Sequence, residues 1–121
     1  MRNRIKMTAL MLVAVLGQTA GVVAAREVHG RISHEDWVRA HHTDIYDLTF
    51  RADAEARIYV SGDGDTDLDL YVYDSSGNLV AWDVDLTDEC FASWTPRRTG
   101  RFRVEVVNRG PLYNRYRLLT N

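Results

Sequence analysis

Residues 63–85 read DGDTDLDLYVYDSSGNLVAWDVD and hold seven aspartates, with no lysine or arginine among them. Carboxylates this dense suit few tasks. Oxygen ligands spaced along a loop and the strand after it fit a hard cation such as calcium. Two carboxylates at a suitable separation can act as acid and base in glycoside cleavage. Histidine, the other common metal and proton-transfer group, occurs at His29, His34, His41 and His42, all ahead of residue 44. Cys90 is the only cysteine, so no internal disulfide can form. The expected state is a buried apolar thiol, with an intermolecular disulfide or a reactive thiol as the alternatives.

The elements that must hold the aspartates follow from turn chemistry. Asp74 can open a type I turn through Ser75 and Ser76, with Gly77 as the left-handed residue of a bulge. Counting back from that turn pairs Tyr73 with Leu79, Val72 with Val80, Leu70 with Trp82 and Leu68 with Val84. One face of the hairpin is then apolar, and a one-residue slip would bury charge. On the other face Asp69 falls beside Asp83, and Asp67 beside Asp85. Asp63 and Asp65 sit in the glycine-containing loop just before. Like charges directly opposite one another destabilise a sheet, so something should offset them.

Three answers stay open. Calcium could be bound by Asp63, Asp65, Asp67, Asp69, Asp83 and Asp85. Arginines from 97–117, a stretch with seven of them and one acid, could fold over the acidic edge. The aspartates could also stay solvated or accept hydrogen bonds from loop amides, screened by solvent. The spacing resembles the start of an EF-hand loop. Position six is Leu68 instead of glycine, position twelve is Asp74 instead of glutamate, and a strand follows, so the EF-hand itself is excluded.

Catalytic chemistry finds little support. His34 begins His-Glu-Asp-Trp-Val, which lacks the second histidine of a zincin helix. No nucleophile elbow or phosphate-cradling glycine loop is present. Asp69 and Asp83 would lie on an open sheet face without a cleft. The chain is expected not to be an enzyme. Trp82 and Trp94 are expected in the core. Tyr71 and Tyr73 are expected on the outward face beside the acids, where an aromatic ring can stack on a sugar or a peptide. They are the candidate ligand-binding residues. Arg101, Arg103, Arg115 and Arg117 share outward faces of the last two strands, solvated or facing an anionic partner.

Residues 1–25 have the three parts of a secretory signal: Arg2, Arg4 and Lys6, an apolar run around Met11 to Leu16, and Val23-Ala24-Ala25 at the end. The run is too short to span a bilayer. The remaining 96 residues suffice for one small domain. The 17 acids all follow the signal, against 12 arginines, a formal charge of 12 − 17 = −5. A net-negative secreted domain does not suit nucleic acid. Segment 26–43 is polar and mixed, with a short helix expected around Glu35 to Ala40. From Asp44 onward apolar residues alternate: Tyr46, Leu48, Phe50; Ala56, Ile58, Val60; Leu68, Leu70, Val72; Val80, Trp82, Val84; Phe102, Val104, Val106; Tyr116, Leu118. Segment 89–94 adds a strand of unassigned face. About seven short strands separated by turns predict an all-β, antiparallel, jelly-roll-like sandwich over 44–121.

SGDGDTDLDLYVYDSSGNLVAWDVD, SWTPRRTGRFRVEVVN and the closing YNRYRLLTN together resemble the bacterial pre-peptidase C-terminal domain. The matching motifs are Asp67 to Tyr71, Asp74 to Gly77, Thr99 to Phe102 and Tyr116 to Leu118. The resemblance implies a small β-sandwich, usually carried behind the catalytic domain of a secreted protease. It further implies help with secretion or maturation of an enzyme, or binding of an insoluble substrate such as collagen. Collagen-binding members hold calcium, and the nearest counterparts of those ligands here are Glu35, Asp36, Asp44 and Asp47. The linker's Glu-x-Glu-x-Asn-Asp run is absent from this chain, and a free-standing sandwich with no catalytic domain ahead of it is expected. The expectation is a secreted or periplasmic, non-catalytic binding or accessory module, with calcium as its one candidate cofactor. Its partner would be an extracellular polymer or a secreted or envelope protein. The alternative is a folding or export helper for a secreted hydrolase acting in trans.

Overall fold

The structure, a computed structural model, describes residues 3–5 and 31–121. Apart from Asn3–Ile5, the leader expected over 1–25 lies outside the described residues, as does His29. The described residues form nine strands and no helix, so none could cross a membrane as a helix. In chain order the strands are β1 (Asn3–Ile5), β2 (Ile32–Val38), β3 (Thr43–Phe50), β4 (Ala56–Ser61), β5 (Leu68–Tyr73), β6 (Leu79–Asp83), β7 (Glu89–Trp94), β8 (Gly100–Asn108) and β9 (Asn114–Thr120). Two sheets pack as a sandwich, one ordered β1-β3-β8-β5-β6 and the other β2-β9-β4-β7. All pairings are antiparallel except the short parallel addition of β1 to β3.

Period-two alternation builds the core. Tyr46, Leu48 and Phe50 of β3 pair across to Val104, Phe102 and Gly100 of β8, and Leu70 and Val72 of β5 pair to Val106 and Val104. Against them the second sheet sets Ile58, Val60, Cys90, Ala92, Tyr116 and Leu118, all buried. Each fully buried aliphatic chain contributes about 1.5–3 kcal/mol by leaving water. The 89–94 strand turns Cys90 and Ala92 inward. The Cys90 thiol, expected to be buried, donates to Leu68 O at 3.2 Å, and burial pushes its pKa well up. Trp94 packs on the core as expected, its ring 4.9 Å from Phe50 and 5.3 Å from Phe102.

Two expectations are corrected. The helix around Glu35 to Ala40 is instead strand β2, paired along its whole length from Ile32↔Thr120 to Val38↔Asn114. Ile32, His34, Asp36 and Val38 take the inward positions. Two of them are polar because β2 is an edge strand, and that breaks the apolar alternation. The sandwich therefore takes in residues ahead of Asp44.

The second correction is the hairpin register. The turn forms as expected: Gly77 has φ +87°, Gly77 N–H donates to Asp74 O at 3.0 Å, and Tyr73 faces Leu79. Asp74 Oδ1 accepts the Ser76 and Asn78 amides at 2.9 and 2.8 Å. Those amides, Asn78 first, hold its carboxyl below the usual carboxylate range. A lowered folded-state pKa means this contribution is present at neutral pH and is lost as the pH falls through it. Beyond the turn, Val80 is an extra residue in a β-bulge, and Val72 pairs with Ala81, Tyr71 with Trp82 and Leu70 with Asp83. Ala81 is buried, whereas Trp82, expected in the core, is 56% exposed and Val84 48%. With the bulge at Val80 the small Ala81 takes the inward position against Val72, and the bulkier Trp82 turns to the outer face beside Tyr71.

Candidate functional site

The bulge separates the acids. Asp69 points to the outer face of the first sheet, while Asp83, opposite Leu70, falls on the inner side at the sheet edge. Asp83 thereby leaves the expected cluster of Asp67, Asp69, Asp83 and Asp85, while Asp69 and Asp85 remain close enough to Asp67 to act on its carboxyl. Asp83 Oδ2 accepts the Phe91 amide of β7 at 2.8 Å, satisfying an edge donor of the facing sheet. Asp69 is 8% exposed and receives Arg109 Nε at 2.7 Å. Asp85 Oδ1 accepts both Thr87 N and Thr87 Oγ1 at 2.9 Å. Asp63 accepts the Asp65 and Arg115 amides at 3.1 and 2.9 Å. Arginine pairing thus operates at Asp69, and backbone amides serve Asp63, Asp83 and Asp85.

A calcium ion takes six to eight oxygens in one sphere. Among the described residues no three acids or histidines gather into such a sphere. The Glu35, Asp36, Asp44, Asp47 set is also dispersed. Glu35 pairs with Arg115 and Arg117 on the outer face of the second sheet, and Asp47 with Arg101 on that of the first. Asp44 is buried and accepts the Tyr116 hydroxyl at 2.7 Å, and Asp36 lies beside His34. His34 packs edge-on against Tyr46.

Asp67 keeps a strained electrostatic position. Its Oδ1 is buried without a partner. Burial, then Asp69 and Asp85, push its carboxyl above the ordinary range. A raised folded-state pKa means the charged form weakens the fold at neutral pH, and the penalty vanishes once the pH drops below the unfolded value. Asp67→Asn is therefore expected to raise Tm at pH 7 and to leave it unchanged at about pH 3. Thermal unfolding checks this. A lower Tm for the variant at pH 7, or a calcium-dependent Tm for the native chain, would mean that the carboxylate is recruited by a cation.

Sequence reasoning missed the polar cluster that holds these loops. Asp88, 7% exposed, accepts Gly64 N at 2.6 Å and Asn114 Nδ2 at 2.9 Å through one oxygen. Asn114 Oδ1 accepts Asp63 N at 3.1 Å, and its amide also donates to Thr66 Oγ1 at 3.0 Å. Only the Gly62–Gly64 pair, a hint of close backbone approach, could have signalled it.

The outer face of the first sheet brings the candidate ligand-binding residues together. Cross-strand neighbours line up as Trp82, Tyr71, Glu105 and Ile45 in one row, and Leu79, Tyr73, Arg103 and Asp47 in the next. The Tyr71 and Tyr73 rings lie 6.5 Å apart at 22°, close to parallel. Each is clamped. Arg103 sits 4.6 Å over the Tyr73 ring, and Arg109 Nη2 donates to the Tyr71 hydroxyl at 3.0 Å while its Nε holds Asp69. The result is a rigid, half-buried aromatic platform extended by exposed Trp82 and Leu79. Polar atoms edge flat apolar faces, which suits stacking on a ligand that has both.

The second sheet's outer face is built differently. A groove of about 510 Å³ runs past Glu35, Tyr59, Asp63, Arg115 and Arg117. Its charges are already paired: Glu35 with both arginines, Glu89 with the Tyr59 and Ser61 hydroxyls. Trp37 and Tyr113 meet edge to face at 85°, offering no flat surface.

No protein-family model matches the chain, and no curated protein does. Solved structures share its fold. The pre-peptidase C-terminal domain of a Bacillus anthracis collagenase superposes with a TM-score of 0.61 at 16% identity, over 75% of this chain and 89% of that one. PliG from Aeromonas hydrophila, a periplasmic inhibitor of g-type lysozyme, gives 0.59 at 14% identity over 98% of this chain and 97% of that one. A mutant of the Escherichia coli PliG gives 0.50 at 10% identity, over 99% and 96%. At such identities the likeness establishes the sandwich fold, one that the pre-peptidase C-terminal domain shares.

Proposed function

We propose that this chain is a secreted, non-catalytic binding module whose contact surface is the Tyr71–Tyr73–Trp82 platform, laid against an extended extracellular polymer. The observation that carries the reading is the pair of near-parallel tyrosine rings, each held in place by an arginine, on an open sheet face. Rings already ordered lose little conformational freedom on binding, so the contact costs less than one made by mobile side chains. A flat platform without a cleft accommodates a repeating chain lying across it better than a small molecule, which would need a concave site.

Co-sedimentation with insoluble peptidoglycan, chitin and fibrillar collagen tests this. The native chain is expected to be retained on at least one of them. The double variant Tyr71→Ala/Tyr73→Ala is expected to lose retention tenfold or more, since base- or ring-stacking aromatics contribute about 1–3 kcal/mol each. Arg115→Ala/Arg117→Ala on the opposite sheet should leave retention unchanged. Equal retention of both variants would refute the assignment of the face.

A second reading takes a secreted hydrolase as the partner, bound in trans and inhibited, or aided in folding or export. It draws on the likeness to a g-type lysozyme inhibitor along 98% of the chain. Loss of g-type lysozyme activity on adding stoichiometric protein would favour it. Full activity at excess would remove the inhibitory form.

A further inference from the structure

Strand direction sorts the loops into two ends. β6 runs from the Asp74–Asn78 turn to loop 84–88, and β7 returns from that loop to 95–99. Loop 62–67 lies with 84–88, tied by Gly62 N–H to Asp88 O at 2.9 Å and Leu68 N–H to Thr87 O at 3.1 Å. Loop 51–55 lies with 95–99, tied by Asp53 N–H to Pro96 O at 2.8 Å. The first end carries Asp63, Asp65, Asp67, Asp85 and Asp88. Loop 39–42, with Arg39, His41 and His42, reaches the same end through His41 N–H to Gly110 O at 3.2 Å, and Arg109 there is held on Asp69, so the acids still outnumber the arginines. The second end carries Arg51, Arg97, Arg98 and Arg101 against Asp53 and Asp74, plus the Arg57–Glu55 pair. The molecule is electrically polar from end to end.

Each end also carries an apolar feature. At the acidic end Leu86 is 90% exposed, the most exposed large apolar side chain among the described residues. Its loop is not loose. Asp85 binds Thr87 twice, and the Asp88 carboxylate is fastened to Gly64 and Asn114. A leucine held out on a braced loop pays little ordering entropy when it docks. At the basic end a cleft of about 760 Å³ has Val80, Trp94 and Phe102 in its lining together with Arg97, Arg98, Arg101 and one acid, Asp74. Among the described residues neither Arg97 nor Arg98 has an ion-pair partner.

We propose that this chain associates head to tail with copies of itself: the Leu86 loop of one molecule enters the Trp94–Phe102 cleft of the next, with Asp85 facing Arg97 and Arg98. The proposal is independent of the aromatic platform, which lies on a sheet face between the two ends and stays open in the assembly. Each molecule uses two different surfaces, so the contact does not close on itself as a two-fold dimer and grows as an open chain. Repeating the platform along such a chain would add avidity for a polymer. The charges on the two surfaces steer and select, so added salt weakens the contact.

Sedimentation equilibrium on the secreted chain, from about 10 μM to about 1 mM at low salt, tests the idea against the affinity of a small contact. The mass is expected to rise with concentration past that of a dimer without a plateau, and to fall back at about 0.5 M salt. Leu86→Asp alone, and Arg97→Glu/Arg98→Glu alone, should each stay monomeric while keeping the native circular dichroism. Mixed one to one, they should form a dimer and nothing larger, because one retains the plug and the other the cleft. A monomeric native chain throughout the range would overturn the proposal. So would a plateau at dimer mass, undiminished association by Leu86→Asp, or a mixture that stays monomeric.

Discussion

Replacing Gly62 with alanine is expected to cost the fold about 3 kcal/mol or more, the range of buried overpacking combined with broken hydrogen bonds. A Cβ at that position would sit 2.1 Å from Asp88 Oδ2 and 2.6 Å from Asn114 Oδ1. Neither atom can move freely. Asp88 Oδ2 is the acceptor for Gly64 N and Asn114 Nδ2, and Asn114 Oδ1 is the acceptor for Asp63 N. Pushing the carboxylate aside leaves a buried charge and two amide donors without partners, which costs more than the bonds themselves contributed. Gly64 provides the comparison. Its φ is +90° and an added Cβ meets nothing within 4 Å, so Gly64→Ala carries only backbone strain, roughly 1 kcal/mol. Chemical denaturation should rank the two clearly. If Gly62→Ala unfolds no more easily than Gly64→Ala, the Asp88–Asn114 cluster does not hold the loops as described.

The second large effect separates neighbouring positions in β6. Ala81→Asp should cost about 3–5 kcal/mol, while Trp82→Asp should stay within about 1 kcal/mol. Ala81 faces Val72 in the interior, where a carboxylate would find no partner, whereas the Trp82 side chain is 56% exposed on the outer face. In an unbulged hairpin the order would be reversed, with Trp82 inside opposite Leu70. A more damaging substitution at Trp82 would therefore restore the simpler register and dismantle the platform with it.

How much of this was legible in the residues depends on what sets each feature. Tyr46, Leu48, Phe50, Ile58, Val60, Phe102, Val104 and Val106 alternate because a strand's side chains alternate, so these strands and the sandwich class can be read directly. The Asp74–Gly77 turn is local chemistry and was equally legible. The Val80 bulge is not local. It belongs to the tertiary pairing of β5 with β6, and nothing in LVAWD by itself says that alanine goes in and tryptophan out. Strand β2 was hidden because His34 and Asp36 occupy inward positions, which an edge strand tolerates. The Tyr71–Tyr73 face was visible from their spacing of two. Its clamping by Arg103 and Arg109, which come from β8 and from just beyond it, needed the three-dimensional pairing. The acids looked alike in the sequence and differ in the fold only because of which loop amide or arginine each one meets.

The most direct measurement is an amide and side-chain chemical-shift titration of the native chain with soluble peptidoglycan fragments, chito-oligosaccharides and a collagen peptide. With whichever of these binds, the largest shifts should fall on Tyr71, Tyr73, Trp82 and the Arg103 and Arg109 guanidinium groups. Shifts centred on Tyr59, Phe91 and Leu119 of the other sheet, or no shifts with any of the three, would contradict an aromatic platform built to hold an extended polymer.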